Sequence, residues 1–440
     1  METSAAMPHS PSQTQDEVSR LWHPFANMAQ VAGDEIVIER GEDVWLWDSE
    51  GQRYLDASAS LWYANIGHGR PEIAAAVARQ MNQLEAYFVF SEFANPPALE
   101  LAERLATLAP VRDPRIFLTS GGGDGIDTAA KLARLYWQQQ GQPQKRHILS
   151  RTNAYHGTHG IGTSITGIPA NRQGYGPLLE HVDQVPHDSV EAMRAAIEAL
   201  GAENVAAVFA EPVIGAGGVF PPVEGYLEGL AELCRETGVL FVADVVICGF
   251  GRLGTWFGVE RWDLEPDMTV FAKGVTSGYL PLGGVVVSGE VAAPFWEGGG
   301  APFRHGPTYS GHPACCAAAL ANLDILENEG LLARGRELET PLLDSLLPLA
   351  EHELVSEVRG GTGLMAAVEL APEMRERGVD PTAFTRVVRR SGVFVRPLVS
   401  AIAISPPLTV TEEHLQQIAA AIHDGLEAVM AESTAAQPVG

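Results

Sequence analysis

One lysine of this chain occupies a position where an amine could react with a carbonyl group. Lys273 closes the apolar segment 268–272 and is followed at once by Gly274. Apolar surroundings disfavour the ammonium form of a lysine, and the neutral amine is a nucleophile. The alternative is an amine that reaches solvent from the end of a strand. The chain has only three lysines, and the other two, Lys131 and Lys145, lie on a predicted helix and in a polar loop.

A run of glycines follows the predicted strand 115–118. Gly121, Gly123 and Gly125 would let backbone N–H groups approach an anion, and the helix predicted after them adds partial positive charge. The run therefore predicts a phosphate site. A dinucleotide-binding loop is one alternative, although no acidic acceptor for a ribose follows the next predicted strand. A plain flexible loop is the second alternative.

Two carboxylates and two rings follow other predicted strands. Glu211 and Asp244 come directly after apolar segments, where a carboxylate is costly unless it meets a cation or a donor. Tyr155 and His156 follow a third strand. Singly, Asp244 could cap a helix or form a salt bridge, and the rings could serve packing. With Lys273 and the glycine run they provide an amine, a phosphate site, a stacking ring and an acid, which pyridoxal phosphate requires.

The elements that must position these residues alternate along the middle of the chain. Short apolar strands separated by helices predict an α/β fold with a mostly parallel central sheet covered by helices on both faces. Ligands bind beyond the carboxyl ends of such strands, so the residues above are expected at one edge. The predicted strands are 115–118, 147–149, 205–209, 239–243, 269–272 and 284–287, and the predicted helices are 126–140, 190–200 and 225–237.

The flanking segments have a different pattern. We predict that residues 1–60 and 316–440 together form a smaller α+β domain beside a large cofactor-binding domain at 61–315. In these segments strands are predicted at 35–40, 44–48, 53–55, 354–358, 363–370 and 392–397, and helices at 329–349, 383–391 and 411–431. Two further helices, at 71–83 and 97–108, are predicted at the start of the large domain.

The composition narrows the class of protein. A net charge of −26 argues against nucleic acid or an anionic membrane as a partner, because both bind basic surfaces. The chain contains no run of about 18 apolar residues that would span a membrane. The N-terminus is polar and lacks an apolar signal region. The cysteines have no metal-ligand spacing, so we predict no metal site and a cytoplasmic enzyme with reduced thiols; they are Cys234, Cys248, Cys315 and Cys316.

Several motifs in order resemble the class III pyridoxal-phosphate-dependent aminotransferases of fold type I. The resemblance extends over nearly the whole chain and is nearest to the amine and β-alanine:pyruvate transaminases. The most specific stretches are 154–157, 210–212, 244–252, 271–274 and 308–313.

The resemblance implies a role for each residue of the cofactor site. Lys273 would hold pyridoxal phosphate as a Schiff base and would then carry a proton between substrate and cofactor. Asp244 would pair with the pyridine nitrogen. Val246 and Tyr155 would pack on the two faces of the ring. Among the further cofactor-binding residues, Glu211 would lie behind Asp244, and the others would be His156, Gly122, Gly123 and Thr308.

The resemblance also implies a shared site. Gly122 and Gly123 would hold the phosphate through backbone N–H groups, and Thr308 would reach it from the neighbouring subunit, which implies a homodimer, alone or within a tetramer. The chain departs from the family where serines are usual, at Gly121 and Gly123, which predicts weaker phosphate binding. Two further departures are Val245, where glutamate is common, and Ile214, where glutamine is usual.

The substrate residues are predicted less directly. Arg396 matches an arginine that in amine:pyruvate relatives meets a carboxylate, because a guanidinium binds carboxylates bidentately. A surface arginine at a strand end is its alternative. Ala216 stands where glutamate-using relatives carry a glutamate, which favours a small keto acid such as pyruvate. Four aromatic residues could line the pocket or belong to the core; they are Trp62, Tyr63, Tyr87 and Phe90.

The predicted function is a ping-pong transamination from an ω-amino acid or primary amine to a small keto acid. The alternative is the adenosylmethionine-dependent diaminopelargonate transaminase of the biotin pathway, whose N-terminal motif resembles residues 22–25. An aminomutase or decarboxylase on the same scaffold ranks lower. A non-catalytic protein that binds the cofactor ranks last.

Overall fold

The computed structural model describes residues 19–31, 33–297 and 300–435, with the side chains of 432–435 left out. The first 18 residues of the predicted segment 1–60 and the last five of 316–440 lie outside this description. The described strands, in chain order, are β1 (Ile38–Glu42), β2 (Trp45–Asp48), β3 (Arg53–Asp56), β4 (Arg115–Thr119), β5 (His147–Arg151), β6 (Val182–Val185), β7 (Val205–Ala210), β8 (Leu240–Asp244), β9 (Met268–Phe271), β10 (Gly283–Val287), β11 (Val355–Arg359), β12 (Ala366–Leu370), β13 (Val393–Phe394), β14 (Arg396–Pro397) and β15 (Ala401–Ile404).

The helices connect these strands and cover them. They are α1 (Met28–Val31), α2 (Ala59–Trp62), α3 (Pro71–Gln83), α4 (Pro96–Leu108), α5 (Gly122–Gln139), α6 (Gly160–Ile165), α7 (Val190–Leu200), α8 (Tyr226–Thr237), α9 (Gly289–Trp296), α10 (Pro313–Asn328), α11 (Leu331–Glu337), α12 (Glu339–Leu346), α13 (Pro372–Glu376), α14 (Pro381–Arg389) and α15 (Glu412–Ala435). No helix in the described ranges is both long enough and apolar enough to cross a membrane.

The central sheet has seven strands in the order β4-β10-β9-β8-β7-β5-β6. The strand β10 runs antiparallel to both of its neighbours, β4 and β9. The remaining neighbours pair in parallel. The predicted fold class, a mostly parallel central sheet in an α/β protein, is confirmed.

Both faces of this sheet are buried. Along β8, Leu240 and Val242 belong to the apolar cluster that includes α5, whereas Phe241 and Ala243 belong to the larger cluster on the opposite face. Side chains of a strand alternate between faces, so a strand buried on both sides is apolar at every position. This burial is the physical reason that the central strands could be predicted as continuous apolar runs.

The two ends of the chain meet in the smaller sheets. The strands β1, β2 and β3 form one sheet together with β13 from near the C-terminus, and β13 is parallel to β3. The strands β11, β12, β15 and β14 form another. This pairing of distant segments is compatible with a smaller α+β unit, and the division at 1–60, 61–315 and 316–440 stays a prediction.

Several elements differ from the sequence-based prediction, and three of the differences concern longer helical segments. The helix expected at 126–140 begins at Gly122, so the glycines form its first turn rather than a loop before it. The segment 329–349 is two helices, which are separated at Leu338, followed by a short 3-10 helix. The helix α10 was not predicted, since it is apolar around most of its circumference and has little amphipathic pattern.

A buried arginine joins the large sheet to both ends of the chain. The Arg252 guanidinium donates to the carbonyl oxygens of Leu364 and Pro406 at 2.8 and 2.7 Å and to the side-chain oxygen of Asn65 at 2.9 Å. Burial lowers the pKa of Arg252 to about 10. Asn65 in turn donates to the carbonyl oxygen of Phe250.

We expect Arg252→Met to destabilise the protein strongly. The substitution leaves three buried acceptors without a donor, and each costs about 1–3 kcal/mol, so the free energy of unfolding should fall by about 3 kcal/mol or more. Urea unfolding followed by circular dichroism measures the change. The matched control is Arg235→Met, which removes an exposed ion pair with Glu232 and should change stability by about 0.5 kcal/mol or less. Equal effects of the two substitutions would contradict the assigned role of Arg252.

Candidate active site

The carboxyl ends of parallel strands bring the predicted residues to one edge of the sheet. Glu211 follows β7, Asp244 ends β8, and Lys273 follows β9 after a single residue. The edge encloses a cavity of about 210 Å³, which is lined by Gly122, Gly123, Ile126, Tyr155, His156, Gly157, Thr158, His159, Glu211, Asp244, Val246, Ile247, Ala272 and Lys273.

The backbone holds Lys273 in an unusual conformation. Its φ angle is 50°, in the left-handed region that residues with a side chain seldom adopt. The next residue must be glycine, because a Cβ on Gly274 would lie 2.6 Å from Nδ2 of Asn65 and 2.9 Å from Cβ of Phe250. Such outliers persist only where the surrounding structure imposes them. The packing around the strand end therefore imposes the backbone conformation of Lys273.

Burial lowers the pKa of the Lys273 amine to about 8. The negative charge of Asp244 acts in the opposite direction, and the positive charge of Arg396 acts in the same direction as burial. A lysine with this pKa has a substantial neutral fraction near neutral pH and is a usable nucleophile. The structure thus supports the reactive interpretation of Lys273 over an amine that extends into solvent.

Asp244 is oriented by two hydrogen bonds. Its Oδ1 accepts from the backbone N–H of Val246 at 3.1 Å, and its Oδ2 lies 2.7 Å from Nδ1 of His156. Both side chains are buried, and Nε2 of His156 has no hydrogen-bond partner within the described residues. The carboxylate is therefore fixed in the cavity by a histidine that lies 88 residues away in sequence.

Glu211 anchors the loop that carries the tyrosine. Its carboxylate accepts from the backbone N–H groups of Tyr155 and Gly215, each at 3.0 Å. Burial raises the pKa of Glu211 above its ordinary value, and His156 acts against this rise. Glu211 lies close enough to Asp244 for their charges to interact.

The first turn of α5 faces the same cavity. Gly122 and Gly123 carry no side chain, and a Cβ on Gly122 would approach Cγ2 of Val246 to 3.0 Å. The first N–H groups of a helix have no partner within the helix, and the helix dipole favours negative charge there. This turn is thus a site for an anion such as phosphate.

The charges of Tyr155 and Arg396 affect each other's pKa. Burial raises the pKa of Tyr155, and the positive charge of Arg396 partly offsets this rise. Burial lowers the pKa of Arg396, and the interaction with Tyr155 partly opposes this decrease. The Nε atom of Arg396 is buried and has no hydrogen-bond partner among the described residues. Arg396 affects the pKa of Lys273 although it is not one of the residues that line the cavity.

The other predicted site residues are not brought into this cavity within the described chain. Trp62 is 1% exposed, and its indole Nε1 has no partner there. Tyr87 and Phe90 are exposed and belong to a surface cluster of rings with Phe88 and Phe93. Thr308 is also exposed. Their assignments stay predictions.

Several residues that line the cavity were not predicted from the sequence. Ala272 and Ile247 lie beside the predicted Lys273 and Val246, so their positions could have been found by proximity in sequence. Thr158 and His159 follow the tyrosine–histidine pair. Nothing in the sequence signals that His159 lies beside the glycines of α5.

The residues present fit pyridoxal phosphate. The unpaired N–H groups at the start of α5 suit the phosphate, and the Asp244 carboxylate suits a protonated ring nitrogen. Tyr155 and Val246 line the space between these two ends, and Lys273 supplies the amine. The glycines leave room near the helix for an anion to approach the backbone.

Comparisons with known proteins agree with this fit. The family model "Aminotransferase class-III" matches residues 28–426. The putrescine–pyruvate aminotransferase of Pseudomonas aeruginosa is 39% identical over 405 residues, which cover 87% of this chain and 88% of that protein. The β-alanine–pyruvate aminotransferase of the same organism is 34% identical over 430 residues, covering 93% and 95%.

A solved structure extends the agreement to the fold. The amine transaminase of an uncultivated Pseudomonas species, in its form with bound pyridoxal phosphate, superimposes with a TM-score of 0.88 at 36% identity. The match covers 94% of this chain and all of that chain. These relatives favour amine transamination over the adenosylmethionine-dependent alternative. The chain belongs to the class III aminotransferases, which are enzymes that depend on pyridoxal phosphate.

Proposed function

We propose that this aminotransferase moves an amino group from an ω-amino acid or primary amine to pyruvate. The observation that carries the proposal is the Lys273 amine, with a pKa of about 8, in one cavity with the Asp244–His156 pair. The choice of substrates is supported by the two Pseudomonas relatives, whose names give putrescine and β-alanine as donors and pyruvate as acceptor.

The proposed mechanism assigns Lys273 and Asp244 as the catalytic residues. When bound, pyridoxal phosphate supplies an aldehyde and an electron-withdrawing ring. Lys273 would hold the cofactor through Nζ, and its amine, once free, would carry a proton as general base and acid. Asp244 would keep a proton on the ring nitrogen, because a fixed buried carboxylate stabilises the positive charge there.

The remaining residues of the cavity bind and orient. Tyr155 and Val246 would confine the ring between them, and Gly122 and Gly123 would donate backbone hydrogen bonds to the phosphate. His156 and Glu211 position other residues of the site: His156 fixes Asp244, and Glu211 fixes the backbone of Tyr155. We also propose Trp62, Tyr87 and Phe90 as walls of the substrate pocket.

A homodimer with shared active sites is part of the proposal. The rings of Tyr87, Phe88, Phe90 and Phe93 are between 41% and 46% exposed and contact one another. Exposed aromatic clusters of this kind are typical of protein interfaces. Thr308, which is exposed, would reach the phosphate of the partner's cofactor.

A cytoplasmic location is proposed as well. The four cysteines are all buried and unpaired. Proteins of reducing compartments usually keep their thiols in this state.

The test of the function is a donor and acceptor panel. The purified enzyme is supplied with pyridoxal phosphate, then with putrescine, β-alanine or an aromatic amine, and alanine formed from pyruvate is measured. We expect at least one of these donors to yield alanine. Turnover with S-adenosylmethionine as the only productive donor would instead assign the diaminopelargonate reaction. Consumption of an amine without any carbonyl product would exclude transamination.

We expect Arg396→Ala to impair the keto-acid half of the reaction selectively. The buried Nε of Arg396 has no hydrogen-bond partner in the part of the chain that the structure describes, and hydrogen bonds to a charged group contribute about 1.5–3 kcal/mol. The KM for pyruvate should therefore rise by roughly 10- to 100-fold. The half-reaction with an amine that lacks a carboxylate should change little, and the two halves are measured separately by stopped-flow absorbance.

The matched control for this substitution is Arg194→Ala. Arg194 forms an exposed ion pair with Glu236 on the surface, and its removal should leave both half-reactions unchanged. If Arg396→Ala slowed both half-reactions equally, Arg396 would not be the carboxylate-binding residue.

A further inference from the structure

The start of α5 offers an anion few donors besides its backbone. Residues 121–123 are all glycine, so no hydroxyl or amine from this run reaches into the cavity. A dianionic phosphate has three oxygens that accept hydrogen bonds, and charged side chains bind it most strongly. A side chain from another segment is therefore needed for a full set of donors.

The imidazole of His159 lies against this turn. If Gly123 carried a Cβ atom, that atom would lie 3.3 Å from both Cε1 and Nε2 of His159. His159 also lines the cavity that contains Lys273. The ring thus occupies the direction in which a side chain at position 123 would extend.

An aspartate orients this ring. The Nδ1 atom of His159 lies 3.4 Å from Oδ1 of Asp124, and Oδ2 of Asp124 accepts from the backbone N–H of Ser120 at 3.2 Å. With Nδ1 turned to the carboxylate, Nε2 is the ring nitrogen near Gly123, and Cε1 lies at the same distance of 3.3 Å from a Cβ built there. A doubly protonated imidazole has one donor for each of two anions.

We propose that His159 binds the phosphate of the cofactor and supplies the side-chain donor that the glycine run lacks. The inference deepens the proposed function, since it rests on pyridoxal phosphate occupying this cavity. An Nε2–H of the ring donates to a phosphate oxygen, and the positive end of α5 attracts the same anion.

The test is equilibrium binding to the cofactor-free full-length enzyme, followed by tryptophan fluorescence and visible absorbance. His159→Ala should weaken binding of pyridoxal phosphate by roughly 10- to 100-fold, the range for a hydrogen bond to a charged group. Pyridoxal, which lacks the phosphate, should bind His159→Ala and the wild-type enzyme equally. This comparison separates a phosphate contact from a general disturbance of the cavity.

The control variant is His423→Ala. The side chain of His423 is 55% exposed and lies 4.0 Å from Asp424, whereas that of His159 is 48% exposed and lies 3.4 Å from Asp124. The two histidines have similar exposure and the same kind of neighbour, but His423 is on α15 and does not line the cavity. His423→Ala should bind both compounds as the wild type does.

A serine at position 123 tests whether a hydroxyl can replace His159 as the side-chain donor to the phosphate. In the wild-type background Gly123→Ser should weaken binding, because the new Cβ would press on the ring of His159 at 3.3 Å. In the double variant Gly123→Ser with His159→Ala, the ring is gone and the serine hydroxyl points into the vacated space. The double variant should recover most of the affinity for pyridoxal phosphate that His159→Ala loses.

Three results would overturn the inference: unchanged affinity of His159→Ala for pyridoxal phosphate, an equal loss for pyridoxal, or no recovery in the double variant. Binding is measured without turnover. A wild-type enzyme that binds the cofactor but does not form alanine would contradict the proposed function and would leave the inference about His159 standing.

Discussion

Lys273→Ala will abolish transamination and leave the protein folded. The substitution removes both the covalent attachment of the cofactor and the proton carrier. General acid–base catalysis alone contributes about 10²–10⁴-fold, so the turnover number should fall by at least about 10⁴-fold when the nucleophile is lost as well. The cofactor should still bind through its phosphate and ring, but its absorbance should be that of the free aldehyde. Circular dichroism and thermal unfolding should match the wild type within error.

The small number of lysines makes this experiment specific. Lys131→Ala is the control, because Lys131 is exposed on α5 and lies outside the residues that line the cavity. Lys145 is buried, and its amine lies 3.9 Å from the centre of the Trp137 ring. This environment indicates a structural role. Borohydride treatment of the wild type should attach the cofactor to the peptide that contains Lys273. Attachment to another lysine, or near-normal turnover of Lys273→Ala, would refute the assignment.

The sequence predicted the central sheet well because its strands are buried on both faces. The strand β7 is apolar along its length, β8 is apolar up to the terminal Asp244, and β9 is apolar except for Thr269. Parallel order brings their carboxyl ends together. Alternation of strands and helices was therefore enough to place Asp244 near Lys273. The segment 392–397 was harder, since it divides into β13 and β14, which belong to different sheets. Local pattern does not reveal which partner a two-residue strand will choose.

The details of the site depend on contacts that local sequence does not contain. The hydrogen bond between His156 and Asp244 joins residues 88 positions apart, and the approach of His159 to Gly123 brings the start of α6 to the first turn of α5. Aromatic residues are a further difficulty, because a ring can serve the core, an interface or a pocket equally well. Trp62 is buried outside the cavity, whereas Phe90 is exposed at the surface, and their sequence neighbourhoods give no sign of this difference.

Asp244→Asn should reduce the turnover number by roughly 10²–10⁴-fold while the cofactor stays bound. An asparagine fills the same space, and its Oδ1 can still accept from the N–H of Val246, which Asp244 contacts at 3.1 Å. The amide carries no negative charge, however, and cannot hold a proton on the ring nitrogen. Without that proton the ring withdraws electrons less strongly, so proton removal by Lys273 becomes slower. Stopped-flow measurement of the amine half-reaction should therefore show the whole loss in the chemical step.

The matched control is Asp267→Asn, because Asp267 is another aspartate beside β8, but at the opposite end of the strands. Its Oδ2 accepts from the backbone N–H of Phe241 at 2.7 Å, and burial raises its pKa to about 6. An amide there keeps an acceptor for that bond, so turnover should stay within about threefold of the wild type, the effect of about 0.6 kcal/mol. If the turnover of Asp244→Asn stayed within the same range, the carboxylate charge would not be needed for catalysis, and Asp244 would act only by hydrogen bonding. A large loss of turnover in Asp244→Asn but not in Asp267→Asn would show that catalysis requires the negative charge that His156 and the backbone of Val246 hold in place.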